Sequence, residues 1–190
     1  QSLNTYFLFI MSSSAISQAD IDKAVAQLAG LREKSPDILF FIARSKNLNI
    51  VVYEALKTGN ALKADKPVDV YWLDIDPAYV AAARKKGVQT DRVDLNMIEN
   101  KMAYGISCEA KGAGSYFCRL VALPERPVTV SIDANGKVKG TIEINGKQAN
   151  LIRIYVAAVE RTLLPPKVTH VDVIGQDDAG NYVSERFIPK

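Results

Sequence analysis

Apolar residues in this chain recur in short runs that are separated by turns rich in Gly, Pro and Asn. The most strand-like runs are Ile50–Leu56 and Val68–Leu73, which are rich in β-branched and aromatic residues. Successive side chains of a strand point to opposite faces of its sheet. We therefore expect Tyr71 and Trp72, neighbours in the second run, to lie on different faces.

Three segments have helical features. From Ser17 to Glu33 the apolar residues recur at three-to-four spacing behind a capping serine, which predicts an N-terminal helix. Asp76 followed by proline is a strong helix start and predicts a short helix that ends near Lys86. A second helix, with Leu95, Ile98 and Met102 on one apolar stripe, is predicted from Thr90 or Asp91 to Gly105. These two helices form an insertion in an otherwise β-rich chain.

The remaining pattern is β. Asn145-Gly146 is the strongest short hairpin signal in the chain. We predict a mainly β fold, an antiparallel β-barrel or curved β-sandwich of nine or ten strands with the N-terminal helix and the two-helix insertion. Residues 1–16 are predicted to be an N-terminal extension and residues 17–190 a single domain. The predicted strands cover residues 37–44, 50–56, 68–73, 106–111, 115–123, 127–133, 137–144, 147–158, 168–174 and 181–187.

Charge and composition exclude several classes of function. The 190 residues carry a formal net charge of +3 and contain no run of five like charges, so we expect no nucleic-acid partner. No window approaches the roughly 18 apolar residues of a transmembrane helix. Met11 resembles a translation start, and the alternative is that Gln1 follows a cleaved signal peptide. We favour the first interpretation and predict a cytoplasmic protein.

The two cysteines are placed symmetrically about a predicted hairpin loop. Cys108 and Cys118 flank Gly112-Ala113-Gly114 at equal distance, so the hairpin would bring the two thiols opposite each other. For a cytoplasmic chain we expect both to be reduced, half-buried residues, whereas a secreted chain would join them in a disulfide.

Three motifs, in this order, resemble an uncharacterised family known as domain of unknown function 4833. They are Asn49–Ala55, Pro67–Trp72, and Leu95–Glu99 continuing into Ala103-Tyr104-Gly105. The resemblance covers about residues 38–185. It implies a single β-dominated domain and brings no activity, cofactor or catalytic residue with it.

The sequence offers little that points to catalysis. His170 is the only histidine, and it lies in a predicted strand without a nucleophile motif, so a structural role is the simpler interpretation. The carboxylates could form a glycosidase pair or a calcium site. Strand-surface, helix-capping and turn roles explain them more simply. The carboxylates considered are Glu54, Asp69, Asp74, Asp76, Glu99, Asp177 and Asp178.

Aromatic residues of the family-like motifs give the best functional hypothesis. Tyrosine and tryptophan combine an apolar body with a polar tip, and such residues line ligand cavities. An arginine or glutamate beside them could orient a polar head group. The alternative is plain core packing, with the tyrosine hydroxyls bonded to nearby carboxylates. The predicted ligand-binding residues are Arg44, Tyr53, Glu54, Tyr71, Trp72 and Tyr104.

We therefore predict a non-enzymatic binding protein that holds a small, largely apolar ligand inside its barrel. No metal or cofactor is expected. The alternative is a structural or assembly protein with a barrel filled by side chains. It would self-associate or dock to a partner through its apolar N-terminal segment and its edge strands.

Overall fold

A computed structural model describes residues 15–88 and 90–189 of the chain. It is mainly β and has an N-terminal helix, as the sequence predicts. The strands are β1 Ile38–Arg44, β2 Ile50–Ala55, β3 Lys57–Thr58, β4 Ala61–Leu62, β5 Val68–Leu73, β6 Arg92–Asp94, β7 Ile106–Gly112, β8 Ser115–Leu120, β9 Leu123–Ile132, β10 Val138–Ile144, β11 Lys147–Arg161, β12 Leu164–Gln176 and β13 Tyr182–Phe187. The helices are α1 Gln18–Lys34, α2 Pro77–Lys85 and α3 Met97–Glu99, followed by a π-helical turn, Asn100–Tyr104.

The sheet is organised around the long strand β11. Along one edge of β11, β10 pairs with residues 147–150 and β1 pairs with residues 153–156, while β12 follows the other edge. The sheet therefore divides at β11 into two wings, β1-β2-β5-β6 and β10-β9-β8-β7. The wings curl towards each other and form a half-barrel. One detail differs from the predicted antiparallel pattern, because β1 and β11 are parallel.

The concave interior of the half-barrel is filled with side chains. Phe40 is fully buried and stacks on Tyr53, with 4.5 Å between the ring centroids. Gly140 lies against both the Phe40 ring and Val128, so the two wings meet closely here. The other fully or nearly buried interior residues include Leu39, Ile42, Val51, Leu120, Val130, Ile142, Ile144, Leu151 and Ile154. The centre of the interior, around Phe40 and Tyr53, is thus occupied by side chains.

Helix α1 covers the convex face of the sheet. Ser17 caps it by accepting a hydrogen bond from the Asp20 backbone N–H, as predicted. Ile21, Ala24 and Leu28 form its buried face. Ile16, within the predicted extension 1–16, also packs in this second core, while residues 1–14 lie outside the described part of the chain. Among the described residues, no helix is long and apolar enough to cross a membrane.

The segment after α2 differs from the predicted second helix. Asp76 caps α2 as expected, but residues 92–94 pair with β5 as an edge strand. The helical part begins only at Asn96, whose side chain forms a reciprocal capping box with Glu99. The predicted apolar stripe is therefore divided: Leu95 packs against the interior, whereas Ile98 and Met102 are exposed.

The hairpin of β11 and β12 extends further than the sequence pattern suggests. The predicted strands leave out residues 159–167, yet Pro165 and Pro166 lie inside β12. Proline is tolerated there because the pairing with β11 shifts register between Val159 and Arg161, and the two prolines fall in this irregular stretch. The hairpins at Gly112–Gly114 and at Asn145-Gly146 form as predicted.

The predicted hairpin places Cys108 directly opposite Cys118, as the spacing suggested. The expectation of two reduced thiols is wrong, because the two cysteines form a disulfide across β7 and β8. Their Cα atoms are 4.1 Å apart. Directly opposed cysteines need little rearrangement to pair.

Glu185 of β13 forms an ion pair with the wing β10-β9-β8-β7, and this ion pair should make the free energy of unfolding depend on pH. Both Glu185 oxygens accept bonds of 2.6 Å from Arg126, and a further one comes from the Asn145 N–H. The hydrogen bonds from Arg126, and its positive charge, lower the pKa of Glu185 below 4.5. Since the folded pKa lies below the unfolded one, this contribution is fully present above about pH 4.5 and is lost at lower pH.

We expect the Glu185→Gln variant to be less stable than wild type at pH 7, with the gap narrowing as pH falls from 5 towards 3. Urea unfolding at each pH measures this gap. Glu109→Gln is the matched control, since Glu109 is exposed and has no ion pair among the described residues. A gap of constant size across this range would contradict the assignment.

Candidate functional site

The predicted ligand-binding residues are divided between the two faces of the first wing. The register pairs Tyr53 with Val70 and Glu54 with Asp69. Tyr53 and Trp72 accordingly belong to the interior core, while Tyr71 belongs to the core beneath α1. The alternation of the strands thus separates the set into an interior group and a convex group. The interior group is Arg44, Tyr53, Trp72 and Tyr104, and the convex group is Glu54 and Tyr71.

The interior group forms one connected cluster. The Arg44 guanidinium lies 4.4 Å from the centre of the Trp72 ring, and Tyr104 meets the same ring edge-on at 5.1 Å. The Tyr53 hydroxyl donates a 2.6 Å hydrogen bond to the Tyr104 backbone carbonyl. Burial strongly raises the pKa of Tyr53, which keeps its hydroxyl protonated as a donor. Tyr104 ends the π-helical turn, a feature often found at functional sites.

Arg44 is the unusual member of this cluster. Its Nε atom is buried and has no hydrogen-bond partner, and its terminal nitrogens make only 3.3 Å contacts with Tyr104 Oη and Asn47 Oδ1. No described carboxylate lies within ion-pair distance of it. A half-buried guanidinium is normally paired with an anion, because desolvating an unpaired charge is costly. Arg44 is therefore a candidate anion-binding residue.

A pocket of about 340 Å³ opens beside this guanidinium. Such a volume falls at the small end of the range for small-molecule sites. The indole of Trp72 and the exposed ring of Tyr79 supply apolar surface, while Asp74 and Glu99 add negative charge to the lining. Burial and the neighbouring Asp91 raise the pKa of Asp74. The remaining lining residues are Lys46, Asn47, Asn49 and Val93.

Asn49 is a site residue that the sequence analysis missed. It is buried, and its Oδ1 accepts hydrogen bonds from the backbone N–H groups of Ile75 and Asp76 at 3.0 and 2.9 Å. This holds the turn that carries Asp74 against the β1–β2 turn and so fixes one wall of the pocket. Its place at the start of the family-like motif was the available signal.

On the convex face, Glu54 and Tyr71 form a closed polar cluster. The Tyr71 hydroxyl donates a 2.7 Å bond to Glu54 Oε2, and Ser35 donates to the other carboxylate oxygen. Arg92 lies over the Tyr71 ring at 3.8 Å and pairs with Asp69. Burial and the bond to Glu54 raise the pKa of Tyr71. The side chains satisfy one another here, which matches the core-packing alternative for these two residues.

The remaining candidate residues take part in contacts that stabilise strands, turns and helix ends. His170 is part of β12, 3.9 Å from an Asp172 carboxylate that is already bonded by Arg186. Asp76 caps α2, and Asp177 accepts backbone bonds within the last turn. Among the described residues, no group of three or more His, Cys, Asp or Glu side chains is arranged to hold a metal ion.

Comparisons with known proteins agree with the motifs quoted above. No curated protein and no solved structure matches the chain. A family described as Domain of unknown function (DUF4833) matches residues 40–186, which include every strand from β2 to β12 and exclude α1. Because this match extends over most of the sequence, the chain belongs to the DUF4833 family.

Proposed function

We propose that this protein is a non-enzymatic binding protein for small molecules that combine an acidic group with an apolar or aromatic body. The site is the pocket beside Arg44 and Trp72, since the centre of the half-barrel, around Phe40 and Tyr53, is filled by side chains. The observation that carries the proposal is the Arg44 guanidinium, half-buried against an indole and without a carboxylate partner among the described residues.

The chemistry of the pocket supports this ligand class. A guanidinium offers paired donors that match a carboxylate, and hydrogen bonds to charged groups are the stronger ones. The exposed ring of Tyr79, together with the part of Trp72 that lines the pocket, would contact the ligand's apolar body. Asp74 and Glu99 in the lining disfavour multiply charged anions and admit a ligand that also carries an amine.

Trp72 provides a direct experiment because it is the only tryptophan in the sequence. Phenylacetate and phenylalanine, titrated into the protein, should change the Trp72 fluorescence saturably. Phenethylamine, with the same ring but no carboxylate, should have at least tenfold weaker effect. Arg44→Met should weaken binding of the acids by about 10- to 100-fold, as expected for losing a charged hydrogen bond.

Arg119→Met is the matched control, because Arg119 also lies over an aromatic ring, Phe117, but does not line the pocket. It should bind phenylacetate like wild type. The proposal fails if neither acid gives a saturable change, or if Arg44→Met binds as tightly as wild type.

A second candidate function, self-association or assembly, is favoured by the filled interior. Strands β7 and β13 each pair on one side only within the described residues, so each has a free edge. Light scattering over a concentration series tests this candidate. A particle that remains monomeric at high concentration would exclude self-association.

The disulfide bears on the compartment in which the protein functions. The sequence favoured the cytoplasm, but the Cys108–Cys118 disulfide is an argument for an oxidising compartment, where such bonds persist. We propose that the protein binds its ligand in an oxidising compartment.

A further inference from the structure

The β11–β12 hairpin is the most prominent projection of the molecule. Val156 pairs with Arg44, the last residue of β1, and the strand continues to Arg161. At about 3.3 Å per residue the tip lies roughly 17 Å beyond the end of β1. All residues from 159 to 167 are exposed, so this part of the hairpin supports no core.

The tip of the hairpin carries exposed leucines that pack in neither core. Leu163 is 98% exposed, and the adjacent Leu164 is 58% exposed. Leu163 also has a positive φ of 62°, in the left-handed region that disfavours large side chains. Glycine or asparagine is the usual residue at such a turn position. Stability of the fold therefore does not explain a leucine at residue 163.

Charge and position indicate what the tip meets. Arg161 and Lys167 flank the leucines, and Glu160, the only acidic residue in this projecting segment, pairs with Lys46 at 3.5 Å. The surroundings are thus net positive. Two copies of the chain meeting tip to tip would repel each other, whereas an anionic surface would attract the positively charged tip. A narrow convex tip needs no shaped partner groove if its apolar residues enter a fluid phase.

The same end of the molecule carries further exposed apolar residues beside the pocket. Leu48 lies between the pocket residues Asn47 and Asn49, and Ile98 precedes the pocket residue Glu99. Lys46, which lines the pocket, pairs with Glu160 of the hairpin, so the pocket and the hairpin lie at one end of the sheet.

We propose that this protein docks reversibly on anionic lipid membranes through the hairpin tip, with Leu163 and Leu164 entering the head-group region and Arg161 and Lys167 contacting acidic lipids. Two leucines and a few cations give weak, reversible attachment. The inference does not depend on the pocket's ligand, because it rests on the hairpin alone.

The test is flotation of the full chain with vesicles of phosphatidylcholine containing 30% phosphatidylserine. We expect binding to these vesicles, and we expect it to decrease as salt is added. Binding to vesicles of phosphatidylcholine alone should be at least tenfold weaker. Leu163→Asn should fold normally, because asparagine tolerates the left-handed conformation, and should bind at least tenfold more weakly. Leu163→Met keeps the apolar side chain and should retain binding.

Tyr182→Ser is the control for general loss of exposed apolar surface, since Tyr182 pairs with Gln176 at the opposite end of β12. It should bind vesicles like wild type. Absence of binding to the anionic vesicles would overturn the proposal. So would equal binding by Leu163→Asn, or a change in oligomeric state by that variant, which would identify the tip as a protein contact.

Discussion

Replacing Phe40 with alanine is expected to lower the free energy of unfolding by about 3–5 kcal/mol, the range for removing a large buried aromatic side chain. Phe40 has no exposed surface, stacks on Tyr53 and lies against Gly140 of the other wing. The surrounding β structure can collapse only partly around the missing ring. Urea unfolding followed by circular dichroism measures the loss.

Phe117→Ala is the matched control, because Phe117 is only half-buried in β8. Its loss should be smaller, about 1 kcal/mol, as less apolar area leaves the interior. Equal losses for the two variants would mean that the interior is not the tightly packed core described above. Phe40→Ala should also gain binding of benzene in its new cavity, which wild type should lack.

Removing the disulfide with the double variant Cys108→Ala/Cys118→Ala is expected to cost about 2–3 kcal/mol of stability. The bond closes a short loop, with a sequence separation of 10, and the cost follows from the entropy that this loop regains in the unfolded chain. The same unfolding experiment measures the change. Reduction of wild type with dithiothreitol should lower its stability towards that of the variant.

Dithiothreitol should leave the double variant unaffected, which controls for other effects of the reagent. A thiol count on the unfolded wild-type protein without reductant should find no free cysteine. Two free thiols, or a variant as stable as wild type, would contradict a stabilising disulfide. The count also bears on the proposed oxidising compartment.

Local signals predicted most of the fold because they act over a few residues. The capping residues Ser17 and Asp76 determine where α1 and α2 begin, and Asn145-Gly146 determines the turn between β10 and β11. The segment at 90–105 was predicted less well. Its residues 92–94 form a strand because an edge of β5 is available, and no local pattern contains that information.

The candidate site was predicted only in part, for a similar reason. The alternation of β5 correctly separated Tyr71 from Trp72, yet it could not show that Arg44 and Tyr104, distant in sequence, would meet the Trp72 ring. The sequence did not identify Asn49 as a site residue, because the role of a buried asparagine depends on the backbone groups with which it forms hydrogen bonds.

The sequence by itself determined a mainly β fold, the starts of α1 and α2, the hairpin turns and the opposition of Cys108 and Cys118, because each depends on spacing along the chain. Only the tertiary structure decided that β1 pairs in parallel with β11, that the interior is filled and that Arg44 has no anionic partner among the described residues. These features depend on contacts between residues far apart in sequence, and such contacts are determined by how the whole chain packs.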